Sequence, residues 1–138
     1  MSEQEKININ LKVLEQAFKR LKKFMQNNKT EQEQAGIVQA FEYCYELSWK
    51  LMKRVLSNKG IEVNSPKDTF REAGRNKIIE DVKKWFRFLD TRNLTVHTYN
   101  TKILEEVMKI IPEFKDELEL LIDILEKDYS KSNVDKEL

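Results

Sequence analysis

One cysteine, one histidine, two prolines and three glycines are all that these 138 residues offer of the types that staple, ligate or turn a chain. Cys44 alone cannot close an internal disulfide, and no Cys/His cluster has zinc-ligand spacing, so a reducing compartment and no bound metal or other cofactor are expected. So few Gly and Pro leave little punctuation for the hairpins of a β-rich fold. No stretch approaches the roughly 18 apolar residues of a membrane span. The opening Met1-Ser2-Glu3-Gln4-Glu5-Lys6 has no basic segment leading into an apolar one, and the expectation is a cytoplasmic protein without a membrane partner. A Gly-rich phosphate loop and a Gly-x-Ser-x-Gly elbow are both missing, which removes most common enzyme classes.

What remains is charge and apolar periodicity. The net charge is only +1, but residues 1–99 hold 19 Lys+Arg against 13 Asp+Glu, and the rest of the chain holds 6 against 11. A basic surplus of this kind suits phosphate contacts or, equally, solvated helix faces. The length fits one domain, residues 1–138, with a core large enough to need no staples. Leu11, Leu14, Phe18 and Leu21 recur at helical spacing and predict a helix over about Ile7–Met25. Thr30 and Glu33 form a capping-box pattern opening a second helix over Glu31–Asn58, whose apolar face includes Ile37, Phe41, Cys44 or Tyr45, Ser48 and Val55, with Gly60 as its stop. Ser65-Pro66 starts a short third helix that turns Phe70 and Ala73 inward and ends near Gly74. A fourth covers about Glu80–Asn93 with Val82, Trp85, Phe86 and Leu89 buried. A fifth runs from about Thr101 to Asp128, with a kink expected at Pro112. The fold expected is all-α, an up-and-down four-helix bundle with one extra short helix and a frayed polar tail over 129–138.

The chemistry concentrates in Arg92-Asn93-Leu94-Thr95-Val96-His97-Thr98-Tyr99. Here a cation that forks onto phosphate oxygens precedes the one titrating imidazole. On a continuous helix, residues five apart sit about 140° around the axis, so Arg92 and His97 meet only if a helix ends between them. Asn93, Thr95, Thr98, Asn100 and Thr101 are cap and turn formers that favour such an end. The pair of Arg92 and His97 suits phosphodiester chemistry, where the imidazole moves a proton and the guanidinium meets the phosphate charge. Trp49, Trp85, Phe41 and Phe86 read as packing residues, and Cys44 as an inert buried thiol. Glu46, one turn before Lys50, reads as a surface i,i+4 pair, or else as a residue that orients Arg92 or His97.

Three blocks, Phe41-Glu42-Tyr43-Cys44-Tyr45-Glu46-Leu47-Ser48-Trp49-Lys50, Ser65-Pro66-Lys67-Asp68 through Arg71-Glu72-Ala73, and Arg92 to Tyr99, together resemble the nucleotidyltransferase substrate-binding protein family, also described as the HepT branch of the HEPN toxins. The resemblance spans roughly residues 10 to 125. It implies a four-helix-bundle homodimer encoded beside a nucleotidyltransferase of the MntA type. It also implies that Arg-x4-His-x-Tyr marks a metal-independent ribonuclease acting on RNA, silenced when the neighbouring nucleotidyltransferase, as antitoxin, adenylylates the motif tyrosine. Residue by residue, Arg92, His97 and Tyr99 occupy those positions, and Asn93 matches the polar residue that often follows the Arg. The ribonuclease that the resemblance implies needs a base for the 2′-hydroxyl, a clamp for the anionic phosphorus and an acid for the leaving oxygen. His97 fits the base and Arg92 the clamp, and the second proton donor is assigned to His97 of the dimer mate. Asn93 would orient the phosphate or the histidine, and Tyr99 would present a phenol near the start of the last helix. An older description of the same family makes such chains non-catalytic subunits that hold substrate for the partner enzyme.

Overall fold

The computed structural model describes residues 1–129. Among them, regular structure is helical throughout: α1 (Glu3–Met25), α2 (Glu31–Asn58), α3 (Pro66–Arg75), α4 (Val82–Leu94), a 3-10 turn (Thr95–His97) and α5 (Thr101–Tyr129). Of the tail expected to fray, Tyr129 is helical and buried, while residues 130–138 lie outside the described residues.

Local chemistry sets the boundaries. The Ser2 hydroxyl accepts from the Glu5 N–H, and with Glu3 and Glu5 in the first turn α1 starts four residues earlier than its apolar stripe indicates. Thr30 and Glu33 close a complete capping box on α2. At its far end Gly60 takes φ +83°, with Ile61 N–H donating to the Leu56 carbonyl and Gly60 N–H to that of Ser57. This double closure is a Schellman cap. Ser65 caps α3 with Pro66 at its first position. The helix ends at Arg75, near Gly74 as expected, but the glycine does not make the turn: Lys77 at φ +59° does, with Ile78 N–H donating to the Ala73 carbonyl. Gly74 serves packing instead: a Cβ there would lie 2.3 Å from Cγ2 of Val82. α4 starts two residues later than expected because the Asp81 side chain caps it.

α1 packs against α2 and α5, α2 also against α3, α4 and α5, and α4 against α3 and α5. An aromatic cluster joins four of these elements. Phe114 of α5 stands edge-on to Phe41 of α2 (centroids 4.9 Å) and to Phe88 of α4 (5.2 Å), and Trp85 lies between Phe88 and Phe70 of α3. The buried face of α4 is therefore Trp85, Phe88 and Thr91, whereas Val82, Phe86 and Leu89 are only partly covered. Phe86 lies instead under the Arg71 guanidinium. α5 continues as one helix through Pro112. No helix among the described residues is long and apolar enough to cross a membrane.

Candidate functional site

α4 gives way to the 3-10 turn immediately after Leu94, and this break separates Arg92 from His97 into two groups. Arg92 stands in the last turn of α4, facing α2. Its Nη1 is 3.2 Å from Oε2 of Glu42 and donates to Oγ1 of Thr95 at 3.0 Å; its Nε is 3.7 Å from Oε1 of Glu46. Thr95 Oγ1 is 3.0 Å from the same Glu42 oxygen and 2.7 Å from the Arg92 carbonyl, two acceptors for its single proton. Glu46 is fixed from its other side, because Trp49 Nε1–H donates to its Oε2 at 3.0 Å. The i,i+4 surface pair expected between Glu46 and Lys50 is not formed: Glu46 faces Arg92 and Trp49. Arg92 is held on three sides, and its Nη2 makes no hydrogen bond among the described residues.

Tyr45 lies beneath this cluster, buried, with its hydroxyl lacking a hydrogen-bond partner among the described residues. Burial and then the Glu46 carboxylate push its phenol above the usual range, while Arg92 pulls the other way. The thiol of Cys44, one residue before, is pushed up to about 12 by burial, as its expected inertness requires.

His97 and Tyr99 form the second group. Both are exposed, Tyr99 at 85%, and the phenol oxygen lies 3.5 Å from His97 Nδ1 with the rings edge-on, centroids 6.0 Å apart. No hydrogen bond joins either to Arg92 among the described residues. Asn93 is exposed and makes no side-chain hydrogen bond there. Asn100 ends the break, its Oδ1 accepting from the N–H groups of Lys102 and Ile103 at the start of α5. A groove of about 360 Å³ adjoins both groups, walled by Glu31, Ala35, Val38 and Glu42 of α2, by Leu104 of α5 and by Tyr99.

Glu42 and Thr95 are the site residues that pattern reading passed over. Glu42 is one helical turn before Glu46, so α2 presents two carboxylates on one face to a single arginine. That spacing was the available signal. Thr95 was visible only as a turn former.

A family profile described as nucleotidyltransferase substrate binding protein like matches residues 9–127, most of the chain. The chain belongs to the nucleotidyltransferase substrate-binding protein family. A relative from Haemophilus influenzae, named probable ribonuclease HepT, is 40% identical over 96 residues, a stretch that covers 66% of each protein, just under two thirds of that relative. Among solved structures, HI0074 of Haemophilus influenzae, described as a substrate binding domain of a nucleotidyltransferase, superposes with a TM-score of 0.78 at 33% identity, covering 83% of this chain and 98% of its own. A crystal structure of a Thermus thermophilus protein gives a TM-score of 0.76 at 28% identity over 81% and 98%. Family membership accounts for the three blocks, two of which, on α2 and around the helix break, meet at Arg92.

Proposed function

We propose that this chain is the toxin ribonuclease of a toxin–antitoxin pair, cutting RNA without a metal through Arg92 and His97 and silenced when a nucleotidyltransferase adenylylates Tyr99. One observation carries the reading: Arg92 is held by two carboxylates with Nη2 unengaged, while His97 and Tyr99 stand exposed together across the helix break. The relative named probable ribonuclease HepT and the family's tie to nucleotidyltransferases support it.

In this reading His97 takes the 2′-hydroxyl proton, O2′ attacks the adjacent phosphorus, and the bond from phosphorus to O5′ breaks. Arg92 Nη2 meets the charge that builds on the phosphoryl oxygens. The leaving oxygen takes its proton from His97 of a second copy, so the active species is a homodimer of single-domain, up-and-down four-helix bundles, working in the cytoplasm. Asn93, exposed beside Arg92, orients the phosphate when RNA is bound. Glu42 and Glu46 fix the guanidinium. An AMP on Tyr99 places bulk and negative charge over His97 and competes with RNA for Arg92.

The test is RNA cleavage by the purified chain in chelator. The products should carry 2′,3′-cyclic phosphate ends, and His97→Ala and Arg92→Ala should each slow the reaction by about 10²-fold or more. Full activity in His97→Ala would remove the imidazole from the mechanism. Incubation with the nucleotidyltransferase and ATP should add AMP to wild type but not to Tyr99→Phe. A second reading, a binding subunit without activity of its own, is favoured by the description of HI0074. Adenylyl transfer by the partner onto a small substrate only in the presence of this chain, with no RNA cleavage, would decide for it.

A further inference from the structure

The groove beside Tyr99 has a chemistry distinct from that of the motif. Its walls combine the apolar side chains of Ala35, Val38 and Leu104 with the Tyr99 ring, a lining that suits a flat aromatic ligand. The hydroxyls of Thr95, Thr98 and Thr101 complete the wall, those of Thr95 and Thr98 already engaged within the protein, and its charged groups are both carboxylates. Glu31 makes no ion pair or hydrogen bond among the described residues, and Glu42 uses Oε2 for Arg92 and Thr95, leaving Oε1 unengaged. A carboxylate only accepts hydrogen bonds, so the two acids reward a ligand that carries N–H donors at its edge. Adenine, cytosine and guanine each carry an exocyclic amine with two N–H bonds, whereas uracil offers a single N–H set between two carbonyl oxygens that a carboxylate repels. Glu42 also joins the groove to the guanidinium, because one oxygen faces Arg92 while the residue lines the cavity.

We propose that this groove is a nucleobase subsite that seats one amine-bearing base of the RNA strand, next to the phosphate held at Arg92, and disfavours uracil. It rests on the ribonuclease reading for its substrate. Stacking on Tyr99 supplies base-independent affinity, and Glu31, the carboxylate without an ion pair or hydrogen bond among the described residues, supplies the choice between bases. The subsite gives the cleavage reaction a sequence preference at the nucleotide seated there.

The experiment uses the full chain, shown by mass to carry no nucleotide on Tyr99, and fluorescent eight-nucleotide homopolymers of A, C and U made with 2′-O-methyl sugars. These strands have no free 2′-hydroxyl, so affinity is read without cleavage. Binding of the A and C strands is expected to exceed that of U by about 10-fold, within the range one base-edge contact supplies. Ala35→Phe fills the groove from an exposed helix position, and Glu31→Gln turns an acceptor-only group into a mixed one. Both should retain the helical circular dichroism of wild type and bring the A-to-U ratio toward one. Equal affinity for the three homopolymers, absence of binding to any of them, or a ratio that survives either variant overturns the subsite. A chain that selects bases yet leaves unmodified RNA intact keeps the subsite and refutes the ribonuclease reading alone.

Discussion

Thr95 is the smallest of the three side chains that hydrogen-bond or ion-pair with Arg92, and its hydroxyl links the end of α4 to Glu42 on α2. Replacing it by valine keeps the shape and removes every polar contact it makes. We expect Thr95→Val to lower kcat for RNA cleavage about 10-fold and to cost about 1 kcal/mol of stability, the usual worth of a buried hydroxyl's hydrogen bonds. Thr95→Ser should restore both. An unchanged kcat with the same loss of stability would reduce Thr95 to a structural cap. At this scale the sequence was legible for residue types and blind to partners. Arg92, His97 and Tyr99 stand out as candidates through the family motif more than through their bare spacing, and the helix end between Arg92 and His97 follows from the cap and turn formers Asn93, Thr95, Thr98 and Asn100. That Glu46 turns to Arg92 rather than to Lys50 does not follow, because both partners lie within reach of α2 and only the docking of α4 decides between them.

Helix ends behave the same way wherever the cap is made by neighbouring residues. Thr30 with Glu33 and Ser65 with Pro66 are local in sequence, and the structure bears both out. The end of α3 is different, because two demands compete over four residues. Gly74 is required for the close approach of Val82, so it stays helical, and the left-handed turn falls to Lys77. A non-glycine residue there costs roughly 1–2 kcal/mol, against roughly 0.5–1 kcal/mol for the extra chain entropy of a glycine. Lys77→Gly should therefore stabilise the fold by up to about 1 kcal/mol in urea denaturation. A loss would show that the Lys77 side chain contributes more than its backbone strain removes. The rotation of α4 was likewise not local. Val82, Trp85, Phe86 and Leu89 make a plausible apolar stripe, but Phe114 on α5 and Phe70 on α3 draw in Trp85 and Phe88 instead.

For the molecule as a whole, two carboxylates between helices set a pH dependence. Glu117 of α5, largely buried, has its pKa raised by desolvation, only partly offset by Lys84 at 3.9 Å, with Asp81, Glu80 and Glu113 adding to the rise. Glu15 of α1 is raised by burial and then by its hydrogen bond with Glu126 of α5. A carboxyl with a raised folded pKa holds its proton longer in the native state than in the unfolded one. Its contribution is then complete below the ordinary value of 4.5 and is lost as pH rises through the folded value. Glu117→Gln should accordingly melt above wild type at pH 7, with the gap closing by pH 4 in thermal scans. A gap that widens toward pH 4 would mean that Lys84 dominates. The all-α class was legible from the scarcity of Gly and Pro together with five apolar stripes. Which stripe meets which was not, since amphipathic faces specify burial without naming a partner.

Cys44, fully buried at the centre of α2 and two residues from Glu42, turns into a clock for motions of the core. A thiol reagent attacks only the thiolate, and only when the helix lifts away, so its rate counts openings. Because it is the one cysteine, every modified molecule reports the same event without mutation. If α2 opens only with the whole domain, labelling should accelerate with urea along the slope of global unfolding. A slope near zero would reveal that the helix bearing Glu42 and Glu46 breathes on its own, loosening its hold on the guanidinium many times for each complete unfolding.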